Sequence, residues 1–197
     1  MDKDCMLDIE TLGLETDAAI VSIGACFFNI ETGEVSASFY SEVNLQSSLD
    51  AGLKMDANTV LWWLRQSKEA QEVFRNNDKA PPLLKVLDDL STFIVSHAED
   101  NLKDVRIWAN SPIFDNIIVE TAFKKCGLTK PWHYSGDRCV RTILHLGKEI
   151  LGINTRTQVP FEGTRHNAAS DAAHQAKCVS VVYSAFKKLK DTNENPL

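Results

Sequence analysis

Asp8 and Glu10 stand one residue apart in the stretch Met6-Leu7-Asp8-Ile9-Glu10-Thr11-Leu12-Gly13-Leu14, with Leu7 and Ile9 alternating between them. In an extended strand successive side chains point to opposite faces, so the two carboxylates share one face. Neighbouring carboxylates repel, and a divalent cation, which takes oxygen ligands, would hold them together. On its own the pair reads as the polar face of an edge strand; acidic partners elsewhere are what would make it a metal site. Two such partners fall at helix starts. Asp115 lies in the first turn of a helix punctuated by Ser111 as cap, Pro112 at the first position and Gly127 at the left-handed end, just after a short apolar strand. Asp171 lies in the first turn of the last helix, after a non-helical Arg165-His166-Asn167. The helix dipole favours acids at both places, but α/β sheets also bind ligands there. Together these segments offer the parts of a two-metal centre. Two divalent ions about 3.5–4 Å apart activate a water and stabilise the leaving oxygen of a phosphodiester. A histidine can serve as general base to that water. His166 fits this role, and by spacing alone so does His174, one turn past Asp171, whereas His97, His133 and His145 have no acidic partner pattern.

The elements that must carry these residues follow from hydrophobic periodicity. After the opening strand, residues 18–28 and 35–43 read as strands joined by the Glu31-Thr32-Gly33-Glu34 turn, giving an antiparallel meander. The period then becomes helical. Helices are expected over 56–66, 67–76 and 81–97, the last opened by Pro81-Pro82. A polar connector at 99–104 leads to a buried-type strand at 105–109, followed by helices over 111–127, 138–151 and 168–190, with 191–197 as a polar tail. The expected fold is α/β: a mixed sheet with a three-stranded antiparallel meander followed by parallel strands, flanked by helices, in a single domain spanning 1–190.

Composition narrows the classes. The 197 residues, 44% hydrophobic and 24% charged, are ordinary for a soluble domain. No apolar run approaches the roughly 18 residues of a membrane span, and the N-terminus has no signal-peptide pattern. Cys5, Cys26, Cys126, Cys139 and Cys178 are odd in number and never C-x-x-C, which points to a reducing, cytoplasmic setting. The net charge of −6 argues against a broad nucleic-acid binder. Two divalent ions would offset part of that charge, and an enzyme gripping only a strand end needs few phosphate contacts.

The order Asp-x-Glu, Asp, His-x-x-x-x-Asp resembles the DEDDh 3′–5′ exonuclease superfamily. Asp8-Ile9-Glu10-Thr11-Leu12-Gly13-Leu14 resembles its first motif, Asn110-Ser111-Pro112-Ile113-Phe114-Asp115 its second, and His166-Asn167-Ala168-Ala169-Ser170-Asp171-Ala172 its third. Many relatives place the second-motif Asn one residue nearer its Asp. The longer interval here, with Thr59-Val60-Leu61-Trp62-Trp63-Leu64, is similar to a bacterial and bacteriophage branch related to ribonuclease T. The resemblance implies a ribonuclease H-like fold and removal of nucleoside 5′-monophosphates from the 3′ ends of RNA or single-stranded DNA. It implies that Asp8, Glu10, Asp115 and Asp171 hold two Mg²⁺ or Mn²⁺ ions, Asp8 touching both and Glu10 the one carrying the water, with His166 as general base. The backbone of Thr11, Leu12 and Gly13 would meet the terminal sugar and Leu14 its base. Ribonuclease T-like relatives often pair as homodimers. A catalytically inactive nucleic-acid- or protein-binding module on the same fold is the alternative. Trp62 and Trp63 point about 100° apart on a helix, so at most one is expected fully in the core; either the other stacks on a base, a role assigned to Trp63, or both pack against the core and neighbouring helices. Trp108 is expected in the core, and Arg138 and Arg141 on a solvated or phosphate-binding helix face.

Overall fold

A computed structural model describes residues 3–98 and 102–194. Five strands form one sheet: β1 (Asp4–Thr11), β2 (Ile20–Phe28), β3 (Val35–Glu42), β4 (Arg106–Ala109) and β5 (Asp137–Cys139). Their order is β3-β2-β1-β4-β5, antiparallel through β3, β2 and β1 and parallel from β1 through β4 to β5. The expected mixed sheet is therefore present, with the acid-bearing strand at its centre. Helices α1 (Leu45–Asp50), α2 (Ala57–Trp63), α3 (Leu83–His97), α4 (Asp115–Lys125), α5 (Val140–Leu151), α6 (Thr155–Gln158) and α7 (Ala168–Glu194) complete it.

The alternation of β1 sorts its side chains onto two cores. Cys5, Leu7 and Ile9 pack with Leu87, Leu90 and Ile94 of α3 and Ile118, Val119 and Phe123 of α4. Met6, on the other face, packs with Trp108, Val140 and the α7 residues Ala172, Ala176 and Val179. Helices thus cover both faces, which is why β2 is buried at every position and reads as a continuous apolar run. Asp4, also on the α7 face, is satisfied locally: Arg106 Nη2 and the Trp108 indole N–H donate to it at 2.5 and 2.7 Å. Asp8 and Glu10 lie further along the same face, beyond the apolar packing.

Several boundaries moved for physical reasons. The expected helix over 67–76 is one short 3₁₀ turn, Ala70–Phe74, with a second, Asn77–Lys79, beyond it; Val73 and Ala70 are pinned into a third cluster with Leu12, Val21 and Trp63. Residues 138–139 belong to β5 rather than to α5. The α4 hydrogen-bonded helix begins at Asp115, after a turn in which the Phe114 and Asp115 amides donate to Ser111 O; Ser111 and Pro112 belong to that turn. Gly127 does take the left-handed conformation, φ 70°. The last helix runs to Glu194, past the expected end at Lys190, and the rest of the 191–197 tail lies outside the described residues. So do residues 99–101 of the expected connector, while Leu102–Asp104 is a 3₁₀ turn. No helix among the described residues is long and apolar enough to cross a membrane.

Candidate active site

Three of the four acids converge tightly. Carboxylate oxygens of Asp8, Glu10 and Asp171 lie within 4.8 Å of one another. Asp115 reaches the group from the start of α4, next to Asp8, with its Oδ2 accepting from the Ser111 amide at 3.3 Å. The convergence rests on a close approach of α7 to the sheet. Gly24 is the β2 partner of Asp8, and a Cβ on it would sit 2.2 Å from the Ala168 carbonyl carbon. Only a bare glycine lets the first turn of α7 lie there. Ala168, Ala172 and Ala176 form the small, fully buried stripe against the sheet. Asp171 and Gln175 each precede a stripe alanine and so flank it on one side. Gln175 Nε2 donates to Asp8 Oδ1 at 2.7 Å.

Burial raises the proton affinity of all four acids, and mutual charge adds to it at Asp8 and Glu10. Burial pushes Asp8 well above the carboxylate range, helped by Asp115, Glu10 and Asp171 and opposed by the Gln175 hydrogen bond. Glu10 rises to about 8 through burial and then the charges of Asp171 and Asp115. Asp115 rises to about 6 through burial, opposed by backbone amides at Ser111, Asp115 and Ile9 and by the Arg141 charge. Asp171 is raised by burial, with the His166 amide and the His166, Arg165 and His174 side chains pulling it back. Its buried Oδ2 has no hydrogen-bond partner among the described residues. A crowded all-oxygen set with an unpaired buried acceptor is suited to hard divalent cations.

A stability effect follows. With folded pKa values above unfolded ones, these groups stabilise the metal-free fold while protonated. That contribution is lost as pH rises from the ordinary glutamate value of 4.5 toward about 8 for Glu10. Each tenfold change in proton affinity is worth about 1.4 kcal/mol, so the loss is several kcal/mol. The melting temperature in chelator should fall by roughly 10 °C across this window, and Mn²⁺ should restore more of it at the alkaline end. Thermal melts with and without metal check this; a flat profile in chelator would refute the raised proton affinity of these carboxylates.

The two histidines occupy different surroundings. His166 has φ 61°, the sole positive φ at a non-glycine among the described residues. Asn167 fixes it by capping α7: its Oδ1 accepts from the Ser170 amide at 3.1 Å and its carbonyl from the Asp171 amide at 2.9 Å. The His166 ring meets Trp62 edge-on at 5.2 Å between centroids. His174 instead packs against Phe161 at 4.9 Å, with Nε2 3.5 Å from Cys178 Sγ, and burial lowers its pKa.

Beside the acids opens a cleft of about 630 Å³ whose lining includes Glu10, Thr11, Leu14, Trp62, Trp63 and Phe114. Trp63, expected at the base, is the buried one of the two tryptophans. Trp63 is the core residue, 3% exposed, its indole N–H donating to Thr11 O at 2.9 Å and its ring packed on Phe74. It lines the cleft from this buried position, whereas Trp62 is 41% exposed and turned toward His166. Leu12 also points inward, into the cluster with Val21 and Trp63, and Gly13 is buried, its carbonyl accepting from Thr11 Oγ1 at 2.7 Å. Leu14, at 72% exposure, is free. Arg141 acts on Asp115, while Arg138 is tied to the Ser135 and Asp137 carbonyls. Gln175 was not expected at the site; its position four residues after Asp171, on the same helix face, is the signal that points to it.

The sequence matches a family model described as the 3′-5′ exoribonuclease Rv2179c-like domain over residues 3–183. No curated protein matches it. Among solved structures the chain is similar to the nuclease domain of 3′hExo, a DEDDh family member bound to rAMP. The identity is 11%, the TM-score 0.61, and the match covers 95% of this chain and 92% of that one. It is similar to cell-death related nuclease 4 at 12% identity and TM-score 0.67, covering 94% of this chain and 66% of that one. It is also similar to E. coli exonuclease I in complex with an oligonucleotide, at 15% identity and TM-score 0.61, covering 95% of this chain but 42% of that one. These likenesses establish a ribonuclease H-like exonuclease fold.

Proposed function

The chain belongs to the Rv2179c-like 3′-5′ exoribonuclease domain family, and from that premise we propose that it is a metal-dependent 3′–5′ exonuclease. It would release nucleoside 5′-monophosphates from the 3′ ends of RNA or single-stranded DNA, with residues 1–190 acting as one exonuclease domain. The observation that carries this reading is the knot of Asp8, Glu10 and Asp171 oxygens within 4.8 Å of one another. Asp8, Glu10, Asp115 and Asp171 would hold two divalent ions, Mg²⁺ or Mn²⁺, whose charge would acidify a water and offset the charge growing on the phosphate.

The chain's own residues do the rest. His166 takes the proton of the water as it attacks phosphorus, and the bond to the preceding nucleotide's 3′ oxygen breaks. Its left-handed backbone and the Trp62 ring beside it hold the imidazole near Asp171. Gln175 holds Asp8 in one orientation through its 2.7 Å hydrogen bond. The backbone of Thr11 to Gly13, braced by Trp63, receives the terminal sugar. Leu14 and Trp62 sandwich the terminal base, a stacking contact worth roughly 1–3 kcal/mol.

The test is a set of 5′-labelled single-stranded RNA and DNA oligonucleotides with Mg²⁺, Mn²⁺ or chelator. Shortening by single nucleotides from a free 3′ end, stopped by chelator, is expected; internal cuts or binding without products would refute the reading. In the same assay His166→Ala should lower kcat by about 10²–10⁴-fold. His174→Ala should cost far less, and the reverse ranking would move the base to His174.

A further inference from the structure

Two clefts flank the acid cluster, and their charges are opposite. The first, beside Trp62, is lined by Glu10, Glu15 and Asp56 and by no lysine or arginine. The second, of about 720 Å³, runs between α5, α6 and the start of α7. Arg141, Lys148, Arg156 and Arg165 line it together with His145 and His174, and no aspartate or glutamate does. In a chain of net charge −6 this is a local inversion of sign. None of these four cations makes an ion pair among the described residues; Arg165 lies over the Phe161 ring, 4.7 Å from its centroid. Cations gathered along one groove repel one another and raise the local concentration of anions.

The groove borders the acid cluster through one shared neighbour. Gln175 lines it and donates to Asp8. Arg141 acts on Asp115, and Arg165 on Asp171. A polyanion engaged by the acid cluster would be repelled along the first cleft and drawn along the second. We infer that this groove holds the sugar-phosphate backbone of a single-stranded nucleic acid on the 5′ side of the bond being cut, while the acidic cleft takes the 3′-terminal nucleoside. The inference rests on the hydrolytic reading of the acid cluster. It makes strand length a determinant of affinity: a dinucleotide has no phosphate upstream of the one that is cut, so the groove has nothing to hold.

The experiment compares the wild type with Lys148→Gln/Arg156→Gln, two exposed positions that line the groove and not the first cleft. The substrates are a dinucleotide and a long single strand, each as RNA and as DNA. Loss of two phosphate contacts should raise KM for the long strand about tenfold, leave kcat within about twofold, and flatten the log KM against log salt slope by roughly 1.4. Dinucleotide kcat/KM should not change. Equal losses on both lengths, or no loss on either, would overturn the groove. RNA and DNA arms that respond alike assign the contact to phosphate, and a response confined to one arm overturns it as a backbone track. Should the wild type cut neither length, the hydrolytic reading fails separately. Fluorescence anisotropy of the labelled long strand then decides the groove: binding weakened about tenfold in the variant keeps it, and equal binding overturns it.

Discussion

Asp8→Asn is expected to lower phosphodiester hydrolysis by about a thousandfold or more while raising the melting temperature of the metal-free protein. The two effects have one cause. Asp8 is buried and its charge is opposed by three other carboxylates, from Asp115, Glu10 and Asp171. Asparagine keeps the shape and still accepts the Gln175 hydrogen bond, so packing changes little. What disappears is one negative charge, the quantity on which cation binding depends and the one that the cluster tolerates least in chelator. Removing a preorganised electrostatic group from a site of this kind costs about 10²–10³ in rate, and a cation ligand should cost at least as much. Relief of repulsion should add on the order of 1–2 kcal/mol in chelator above neutral pH, or roughly 2–8 °C for a chain of this size. Adding Mn²⁺ should invert the ranking, because the wild type gains the ion's binding energy and the variant gains less. Activity and thermal melts of the same preparations measure both effects. A variant that is inactive and also less stable in chelator would make Asp8 a structural residue instead.

The acids were legible in the sequence because their placement is governed by local rules. Strand alternation puts Asp8 and Glu10 on one face, and helix-start punctuation marks Asp115 and Asp171. The mixed sheet was legible for the same reason, since period and turn residues are local signals. Local rules fail where a neighbour from far along the chain decides. Trp62 and Trp63 present the same chemistry one residue apart, and nothing near them says which turns inward. The choice is made by the Thr11 carbonyl, which accepts the Trp63 indole N–H, and by Phe74, against which that ring packs. The three-residue β5 is too short to show alternation. The cationic groove gathers residues from three helices whose individual faces look like ordinary solvated surface. Gly24 is the sharpest case. Inside the apolar β2 run it reads as a weak strand residue, and only the helix laid across it, more than a hundred positions later, gives it a purpose.

Gly24→Ala should lose catalysis out of proportion to its loss of stability. The added Cβ would meet the Ala168 carbonyl carbon at 2.2 Å, its oxygen at 2.4 Å and the Ala169 nitrogen at 2.4 Å. These are backbone atoms of the first turn of α7 and have no rotamer by which to yield. Either β2 bends or the start of α7 lifts, and since β2 is hydrogen-bonded on both sides, the helix start is the softer element. Asp171 lies on that turn and Gln175 on the next, so lifting it opens the distance to Asp8 and Glu10. A displacement of about 1 Å at reacting groups costs roughly 10²-fold in rate, whereas overpacking of this size costs about 1–3 kcal/mol in stability. Gly147→Ala supplies the contrast. Its Cβ would meet Val182 Cγ1 at 2.5 Å, in the α5–α7 contact and about three turns past Asp171 on α7, so it should destabilise by a similar amount with turnover per folded molecule preserved. Active-site concentration, kcat and melting temperature of the two variants separate the cases. Wild-type turnover in Gly24→Ala would mean that the approach of α7 to the sheet does not set the spacing of the acids, and the cluster's geometry would then have to be held from the α4 side, through Asp115 alone.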